Sequence, residues 1–482
     1  MSIYLDNAAT KVPAPAVVKA VEQCFKEFNA NPLRGMYETS LRATAAVTEA
    51  REMVAKFIGA QPDEIVFTRG ATEGLNMAAI MLAHLLGKDA TVCVGEAEHH
   101  SNILPWVKNF KKVDFGLNKA AGHKIVALST MSNVTGAVCK VPNTDSIVVV
   151  DAAQYVAHEA IDVSKLGADI LAFSGHKIGA PMGVGVLYIK RDLMNKLEPV
   201  YYGGEMVNGV EMVDGEISMN LAAGPQKFEA GTLNLPGIAG LLAAIKLIEA
   251  RGGIEKLNER VVELTEFAKS KMAKLDCQIY AAENGIITFN MNGIHAHDTA
   301  EICAKNDVCV RAGYHCAEPY LKMLGWGACV RVSLSADNTE SDIEKLVEVL
   351  ATVPEAIKQE MLERGNYPGY KGELDEWDLC RNLVNESCGD EITVQVKVSD
   401  GAIVDAKWSG HGCAISQASA DYMCERLVGL SLKQALEVRK KFEQLVVSGK
   451  EDDELLKLNR LVDVSRMPAR ANCAKLAWKI LD

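Results

Sequence analysis

Two short motifs could bring a carboxylate and an amine together. The apolar run 146–150 predicts a buried strand that ends at Asp151. A second apolar run, 170–173, predicts another strand, and it ends at a Ser-Gly-His-Lys turn that carries Lys177. Two parallel strands would place Asp151 and Lys177 at one edge of a sheet, where α/β enzymes bind cofactors. A lysine that can form a Schiff base and an aspartate that can pair with a pyridinium nitrogen are what pyridoxal phosphate (PLP) requires.

The segments that must position these two groups alternate between strand-like and helix-like patterns as far as about residue 355. Strand-like runs occupy 64–68, 91–94, 124–129, 146–150, 170–173, 185–189, 286–290, 308–311 and 329–334. Helix-like runs occupy 73–86, 238–250, 254–275 and 339–353, and Asn338 or Thr339 can cap the last of them. This alternation predicts an α/β fold with a large, mostly parallel sheet under helices and a smaller second layer.

The composition is that of a globular protein with a sizeable core, since 49% of the 482 residues are apolar. A formal net charge of −12 disfavours nucleic acid and anionic membranes as partners. Apolar runs stay below the ~18 residues of a membrane span, and we find no signal-peptide pattern at the N-terminus. The 13 cysteines are scattered and odd in number, unlike a secreted disulfide framework. We therefore expect a cytoplasmic protein that binds neither membranes nor nucleic acid.

The pattern changes after the long N-terminal segment. Residues 364–372 are rich in glycine and proline and have no apolar periodicity, which is typical of a linker. The runs 392–398 and 402–408 then alternate around a Ser-Asp-Gly turn and predict a β-hairpin, and later residues are helical in pattern at 414–427 and 432–447. We therefore predict a first domain at 1–358 and a separate small α+β domain at 366–482.

Several polar residues near predicted strand ends could complete a cofactor site around Lys177. The segment 69–74 joins a strand to a helix, and the free N–H groups at a helix start, together with the Thr72 hydroxyl, hold phosphate well. His99 follows the next strand and could stack on a cofactor ring. The other candidates could donate hydrogen bonds to the phosphate, to the phenolic oxygen of the cofactor or to substrate, and they are Asn133, Gln154, Ser174 and His176.

The order of the motifs resembles the SufS-like cysteine desulfurases, which have the PLP-dependent aspartate-aminotransferase-like fold of the class V aminotransferases. The matching stretches are 6–10 (DNAAT), 69–74 (RGATEG), 98–102 (EHHSN), 151–154 (DAAQ), 173–177 (FSGHK), 228–232 (FEAGT) and 311–316 (RAGYHC). The resemblance implies a Schiff base at Lys177, pairing of Asp151 with the pyridine nitrogen and stacking of His99 on the ring. It implies phosphate contacts from Thr72, Ser174 and His176 and, across a homodimer interface, from Thr232.

Cys316 would distinguish a desulfurase from a transaminase that shares its early steps. It lies in a predicted loop, where positive charge on Arg311 and His315 would favour a thiolate. The resemblance implies that Arg331 clamps the carboxylate of free L-cysteine with its bidentate guanidinium. Lys177 would then remove the Cα proton. Attack of the Cys316 thiolate on the substrate sulfur would leave a persulfide on Cys316 and release L-alanine.

Three cysteines and one aspartate in the C-terminal domain could form a tetrahedral zinc site. These four candidate ligands are Cys388, Asp390, Cys413 and Cys473. Glycines beside two of them allow the tight turns that such ligands need. The stretches 414–420 and 473–478 resemble the IscU/SufU proteins, and the resemblance implies a zinc-bound acceptor of persulfide sulfur that serves iron–sulfur cluster or related cofactor synthesis. The covalent tether would raise the concentration of acceptor thiol at the donor loop.

Alternatives remain open for both domains. The C-terminal domain could instead be a scaffold that holds a transient iron–sulfur cluster, and the N-terminal domain could be a selenocysteine lyase or an ordinary aminotransferase in which Cys316 is not obligatory. We expect sulfur to pass from Cys316 to Cys388, within one chain or across the dimer, while His295 or His297 replaces Cys388 on zinc. Downstream sulfur or cluster acceptor proteins would be the final partners.

Overall fold

The computed structural model describes residues 2–362, 368–386 and 388–482. The strands of its N-terminal part are β1 (Ile3–Tyr4), β2 (Ile65–Thr68), β3 (Thr91–Val94), β4 (Lys112–Phe115), β5 (Ile125–Ser129), β6 (Ile147–Asp151), β7 (Ile170–Ser174), β8 (Gly185–Ile189), β9 (Val207–Val213), β10 (Glu216–Leu221), β11 (Cys277–Glu283), β12 (Ile286–Met291), β13 (Val308–Cys309), β14 (Arg311–Gly313) and β15 (Cys329–Ser333). The α-helices of this part are α1 (Pro15–Glu27), α2 (Glu38–Ile58), α3 (Ala71–Leu86), α4 (Leu104–Asn109), α5 (Val163–Leu166), α6 (Arg191–Met194), α7 (Leu235–Ala250), α8 (Gly253–Met272), α9 (Ala296–Lys305), α10 (Glu318–Met323) and α11 (Glu340–Leu362).

Seven of the described strands form a large sheet in the order β2-β8-β7-β6-β5-β3-β4. The strands from β7 to β4 in this order pair in parallel, whereas β8 is antiparallel to both of its neighbours. Alternate residues of β5 face two different apolar clusters, with Val126 on one face and Ala127 on the other. Both faces are covered by helices, which is why the central strands are apolar throughout. The expected α/β class with a mostly parallel sheet is confirmed.

A smaller antiparallel sheet follows in the order β11-β12-β15-β14. It is covered by α8, α9 and α11, which contribute Leu264, Ile302 and Leu346 to a shared apolar core. The N-terminal strand β1 pairs in parallel with β13 nearby, so the chain start belongs to this layer. The layer positions two candidate residues, because β15 carries Arg331 and β14 leads directly into the Cys316 loop.

The C-terminal part is a three-stranded antiparallel sheet packed against helices. Its elements are β16 (Leu379–Asn385), β17 (Asp390–Ser399), β18 (Ala402–His411), α12 (Ala414–Leu427), α13 (Leu432–Ser448) and α14 (Pro468–Lys475). Trp408, Phe442 and Trp478 lie in its separate apolar core. Asp400 and Gly401 both have positive φ values, of 51° and 77°, as the two-residue turn of a tight hairpin requires. The predicted hairpin and the two predicted helices are therefore confirmed.

Most sequence-predicted elements are present, and the differences have local causes. The strands predicted at 91–94 and 185–189 have those bounds, and Thr339 caps α11 by accepting a hydrogen bond from the Asp342 N–H at 3.2 Å. The prediction of one strand at 308–311 is wrong, because β13 pairs with β1 whereas β14 pairs with β15. The predicted linker lies partly outside the described residues, since 363–367 are not among them.

Candidate active site and metal centre

The turn after β7 brings Lys177 into a pocket of about 220 Å³ at the edge of the large sheet. Eight of the predicted cofactor residues line this pocket, namely Thr72, His99, Asn133, Asp151, Gln154, Ser174, His176 and Lys177. The Lys177 ammonium donates a hydrogen bond to the Ala8 carbonyl. Burial and the nearby Arg331 cation lower the pKa of Lys177 to about 8, although Asp151 opposes this shift. The amine is therefore a much better base and nucleophile at neutral pH than an exposed lysine.

Asp151 is buried at the end of β6, where it faces the same pocket. Its Oδ1 accepts a hydrogen bond from the Ala153 N–H at 2.9 Å. Burial raises the pKa of Asp151 to about 6, while the Ala153 N–H and the Lys177 cation limit the rise. Because burial penalises the charged carboxylate, a cation in the pocket would stabilise it, and a protonated pyridine nitrogen would supply one.

Another part of the pocket offers groups that could hold a phosphate. It lies at the N-terminus of α3, a helix of 16 residues, where Ser174 Oγ accepts a hydrogen bond from the Ala71 N–H at 2.8 Å. Gly70 has a φ of +157°, and a Cβ there would lie 3.0 Å from Ser174 Oγ, so glycine permits this close approach. The buried Nδ1 of His176 has no hydrogen-bond partner among the described residues. A free donor beside a helix N-terminus fits a bound phosphate.

His99 lines the pocket, and a hydrogen bond to one of its ring nitrogens fixes the orientation of the ring. Its Nδ1 accepts a hydrogen bond from the Ser101 N–H at 3.1 Å. The preceding residue, Glu98, anchors the segment by accepting hydrogen bonds from Asn102 and Ser129 at 2.7 and 2.6 Å. Burial and the nearby Lys177 lower the pKa of His99 to about 4, so the ring is neutral at physiological pH. A neutral, fixed imidazole is suited to stacking on an aromatic cofactor.

Arg331 forms hydrogen bonds both with Asn133, which lines the pocket, and with Asp6 near the N-terminus. Its Nη1 donates to the Asn133 carbonyl at 2.8 Å and its Nη2 donates to Asp6 Oδ1 at 3.3 Å. Its buried Nε has no hydrogen-bond partner among the described residues. Asn133 Nδ2 in turn donates to the His315 carbonyl at 2.8 Å. The guanidinium is therefore fixed beside the Cys316 loop with a donor still available for a substrate carboxylate.

Cys316 is exposed, and it has a φ of +56° in a turn where His315 also has a positive φ. The His100 N–H donates to the Cys316 carbonyl at 2.8 Å, which fixes the turn near the pocket. The expectation that His315 supplies positive charge is wrong. Its ring is buried against the Cys329 carbonyl at 3.0 Å, and burial holds the pKa of His315 well below its usual value. The cations that interact with Cys316 are those of Arg311 and Arg331.

Thr232 does not line this pocket. It lies between Phe228 and α7 and is exposed to solvent. The structure therefore does not bring Thr232 together with the other predicted phosphate ligands of its own chain.

The four predicted metal ligands converge in the C-terminal part. All four are buried, and the Cys388 and Cys473 Sγ atoms are 3.5 Å apart. The Cys413 thiol donates to Asp390 Oδ2 at 3.4 Å, and the Cys413 N–H donates to Asp390 Oδ1 at 3.0 Å. A tetrahedral zinc ion with Zn–S bonds of about 2.3 Å separates its sulfur ligands by about 3.8 Å. The 3.5 Å between the Cys388 and Cys473 sulfur atoms is close to that separation. Cys388, Asp390 and Cys473 have ligand atoms within 4.8 Å of one another, and Cys413 contacts Asp390, so these residues could hold a metal ion.

The cluster of candidate metal ligands lies against the N-terminal part of the chain. His295 Nε2 is 3.4 Å from Asp390 Oδ1, whereas the His297 ring stacks on His295. Arg470, in the helix that carries Cys473, donates from two nitrogens to Asp298 Oδ1 at 2.9 Å each. This ion pair is buried, and it fastens α9 to the metal-site helix α14.

Two acidic residues at these sites were missed by the sequence analysis. Asp6 accepts hydrogen bonds from both Arg311 and Arg331, and Asp298 holds Arg470. Asp6 is the first residue of the DNAAT motif at 6–10, so its place in a family motif could have identified it as a site residue. Asp298 offered no such signal, because its partner is 172 positions away.

Comparison with known proteins agrees with this geometry. Residues 3–346 match the family described as Aminotransferase class-V, and residues 356–461 match the NifU-like N terminal domain. A probable cysteine desulfurase from Pyrococcus abyssi is 35% identical over 387 residues, which cover 74% of this chain and 95% of that protein. One from Methanothermobacter thermautotrophicus is 37% identical over 385 residues, covering 73% and 94% respectively.

Solved structures that resemble this chain are also cysteine desulfurases. A cysteine desulfurase from Thermococcus onnurineus, in its apo form, aligns with a TM-score of 0.68 at 32% identity, over 74% of this chain and 95% of that one. The cysteine desulfurase CsdA from Escherichia coli, in an S-sulfonic acid form, aligns with a TM-score of 0.66 at 33% identity over the same shares. Among the described helices, none is long and apolar enough to cross a membrane.

The fold and the lysine–aspartate pocket define a PLP-dependent enzyme of the aminotransferase type. The chain belongs to the class-V aminotransferase family, within its cysteine desulfurases, and carries a NifU-like domain at its C-terminal end. The predicted resemblance to a desulfurase fused to an acceptor of the IscU/SufU kind is confirmed.

Proposed function

We propose that this protein takes the sulfur of L-cysteine onto Cys316 and passes it to its own C-terminal domain. The observation that carries the proposal is the placement of the exposed Cys316 turn, which adjoins the Lys177 pocket on one side and the metal centre on the other. Iron–sulfur cluster assembly, or a related use of sulfur, is the outcome that the NifU-like domain supports. Other acceptor proteins would then receive the sulfur or the cluster.

The residues of the pocket suit the steps before sulfur transfer. Bound PLP supplies an electron-accepting ring that acidifies the substrate Cα–H bond. Arg331 binds the substrate carboxylate through its free N–H groups, which orients the Cα proton. Lys177 Nζ would accept that proton, because burial lowers its pKa to about 8 and leaves a useful neutral fraction. Asp151 would pair with the pyridine nitrogen, and Asn133 links this region to the Cys316 turn.

Cys316 acts as the nucleophile towards the substrate sulfur. An S–S bond forms between Cys316 Sγ and that sulfur while the substrate C–S bond breaks. The remaining carbon chain takes up one proton at Cβ and regains the Cα proton from Lys177 Nζ, which completes L-alanine. Arg311 and Arg331 lie close enough to Cys316 to interact with it electrostatically, so positive charge faces the attacking sulfur. Its exposed position allows the resulting persulfide to reach an acceptor outside the pocket.

A homodimer is part of this proposal. Thr232 is exposed and outside the pocket, so it could serve only the phosphate of a second copy. The β9–β10 hairpin supports such an interface, because Met212 and Ile217 are 74% and 72% exposed. A fully active monomer in solution would contradict it.

The C-terminal centre is proposed to hold zinc, and we expect anaerobically purified protein to contain about one zinc ion per chain. Replacement of Cys413 with serine should remove most of the metal, because its thiol lies in the buried ligand set. Replacement of the buried core cysteine Cys424 with alanine is the matched control and should leave the metal content unchanged. Elemental analysis of the purified chains measures both. Labile iron and acid-released sulfide in place of zinc would support the scaffold alternative instead.

Cys388 is the proposed sulfur acceptor, and His295 is the better placed of the two histidines to replace it on zinc. His295 Nε2 lies 3.4 Å from the candidate ligand Asp390, whereas the buried Nδ1 of His297 has no hydrogen-bond partner among the described residues. We expect a His295→Ala, His297→Ala double variant to accumulate persulfide on Cys316 and to lose most of it from Cys388, as read by mass spectrometry. Undiminished transfer in that variant would exclude the exchange.

A further inference from the structure

Tyr314 bridges the donor turn and the metal centre. Its hydroxyl lies against Gly389, the residue between Cys388 and Asp390, so closely that a Cβ on Gly389 would be 2.7 Å from the oxygen. Gly389 has a φ of +80°, a conformation that favours glycine, and the missing side chain leaves the space that the phenol uses. Tyr314 is also close enough to interact electrostatically with Cys388 and Asp390.

The rest of the Tyr314 side chain is anchored in the N-terminal part of the chain. Its ring packs in a small apolar cluster with Val134, Ala317 and Leu321. The Tyr314 carbonyl accepts a hydrogen bond from the Ala317 N–H at 2.9 Å, and this bond closes the turn that contains Cys316. Tyr314 and Cys316 therefore lie in the same hydrogen-bonded turn. A shift of the Tyr314 hydroxyl would be accompanied by a shift of this turn.

A second set of contacts holds the same two surfaces together within one chain. Asp298 Oδ1 accepts from Arg470, and Asp298 Oδ2 accepts from the Ala414 N–H at 3.2 Å. Ala414 follows Cys413, and Arg470 lies three residues before Cys473, so α9 contacts residues close to two of the candidate metal ligands. Glu301 adds a second carboxylate to Arg470 at 3.1 Å. Buried charge pairs of this kind fix orientation, because misalignment leaves a charge without its partner.

We infer that Tyr314 is a positioning residue that aligns the Cys316 turn with Cys388 of the same chain, so that sulfur passes within one polypeptide. The inference rests on the proposed function. In the transfer step the Cys388 thiolate attacks the outer sulfur of the Cys316 persulfide. A new S–S bond forms on Cys388, the S–S bond on Cys316 breaks, and Cys316 leaves as a thiolate. The step is an exchange in which no external oxidant or reductant takes part.

The first test compares the persulfide carried by the two cysteines after a short exposure to L-cysteine, by mass spectrometry of the full-length holoenzyme. Tyr314→Ala should lower the ratio of Cys388 persulfide to Cys316 persulfide by about tenfold or more, since small misplacements of reacting groups have effects of this size. Tyr314→Phe should restore most of the ratio, because the ring still fills the gap beside Gly389. Tyr320→Ala removes a tyrosine of the same apolar cluster and is the matched control.

Each outcome of this comparison has a separate meaning. Loss of both persulfides together in Tyr314→Ala would indicate a merely structural role and would overturn the inference. An unchanged ratio would overturn it as well. If the wild-type enzyme forms persulfide on Cys316 and none on Cys388, the proposed transfer itself is wrong, and the inference falls with it.

The second test asks whether transfer stays within one chain. Chains with Cys316→Ala and chains with Cys388→Ala are co-expressed with different tags, and the mixed dimer is isolated by successive affinity steps. In that dimer the intact donor and the intact acceptor lie on different chains. We expect Cys316 persulfide on one chain and at least about tenfold less Cys388 persulfide than in the wild type. Wild-type levels of Cys388 persulfide would show transfer between chains and would overturn the inference.

Discussion

Replacement of Cys316 with alanine is expected to reduce the release of sulfur from L-cysteine by about 10³-fold or more, because the reaction loses its nucleophile. The residues that line the Lys177 pocket include no cysteine that could take over. Bound PLP should keep its normal absorbance, since Cys316 is not among those residues. The measurement is alanine and sulfide production together with the visible spectrum. Cys380→Ala is the matched control, because Cys380 is also exposed but lies on β16.

The same variant separates the remaining alternatives for the N-terminal domain. Loss of activity on cysteine with retained activity on selenocysteine would favour a selenocysteine lyase, in which the weaker C–Se bond does not need an attacking thiolate. Near-normal turnover of cysteine would contradict the proposed mechanism. Amino-group transfer to an oxo acid by the wild-type enzyme would favour an ordinary aminotransferase.

The positions of polar residues at strand ends could be predicted, because short apolar runs in the sequence mark where buried strands end. Asp151 and Lys177 each terminate or follow a short apolar run, and parallel neighbours must end at the same edge of a sheet. The observed register pairs Asp151 with Ala172, two positions before the end of β7, as that argument requires. Sequence periodicity alone therefore identified the pair, and the family motifs supplied most of the residues around it.

Contacts between remote segments were not predictable in this way. The Asp298–Arg470 pair and the approach of Tyr314 to Gly389 depend on how surfaces from the N-terminal and C-terminal parts of the chain meet. Such contacts leave no periodic pattern in either segment. The β9–β10 hairpin was also missed, although its second strand carried a local signal. Residues 216–221 (EISMNL) alternate polar and apolar residues along the whole of β10, as strands often do.

Charge near Cys316 shows that adjacency in sequence is a poor guide to adjacency in space. His315 precedes Cys316 directly, yet the positive φ values of both residues turn the imidazole into the protein and the thiol outward. Arg331 is 15 positions away in sequence, but its guanidinium is fixed beside the loop by the Asn133 carbonyl. Asp6 lies between Arg311 and Arg331 and pairs with both, so it keeps two like charges close to the thiol.

Replacement of Lys177 with alanine is expected to remove both the covalent attachment of PLP and the desulfurase activity, the latter by about 10³-fold or more. The pocket should still bind PLP weakly through its phosphate end, because Ser174, His176 and the α3 N-terminus are unchanged. The visible spectrum and PLP retained after gel filtration measure the attachment. Lys165→Ala, an exposed lysine, is the control. A normal spectrum in Lys177→Ala would exclude Lys177 as the attachment residue.

The lowered pKa of Lys177 also leads to a prediction for the pH dependence of PLP uptake by the wild-type apoenzyme. Only the neutral amine attacks the cofactor aldehyde, and the pKa of Lys177 is lowered to about 8 by burial and by Arg331. The rate of uptake should therefore fall about tenfold for each pH unit below about 8 and level off above it. The control is the reaction of a free alkylamine with PLP under the same conditions, whose rate should keep rising up to about pH 10. This control separates the effect of the pocket on Lys177 from the titration of PLP itself. A pH-independent rate between 6 and 8 would mean that the Lys177 amine is not the titrating nucleophile.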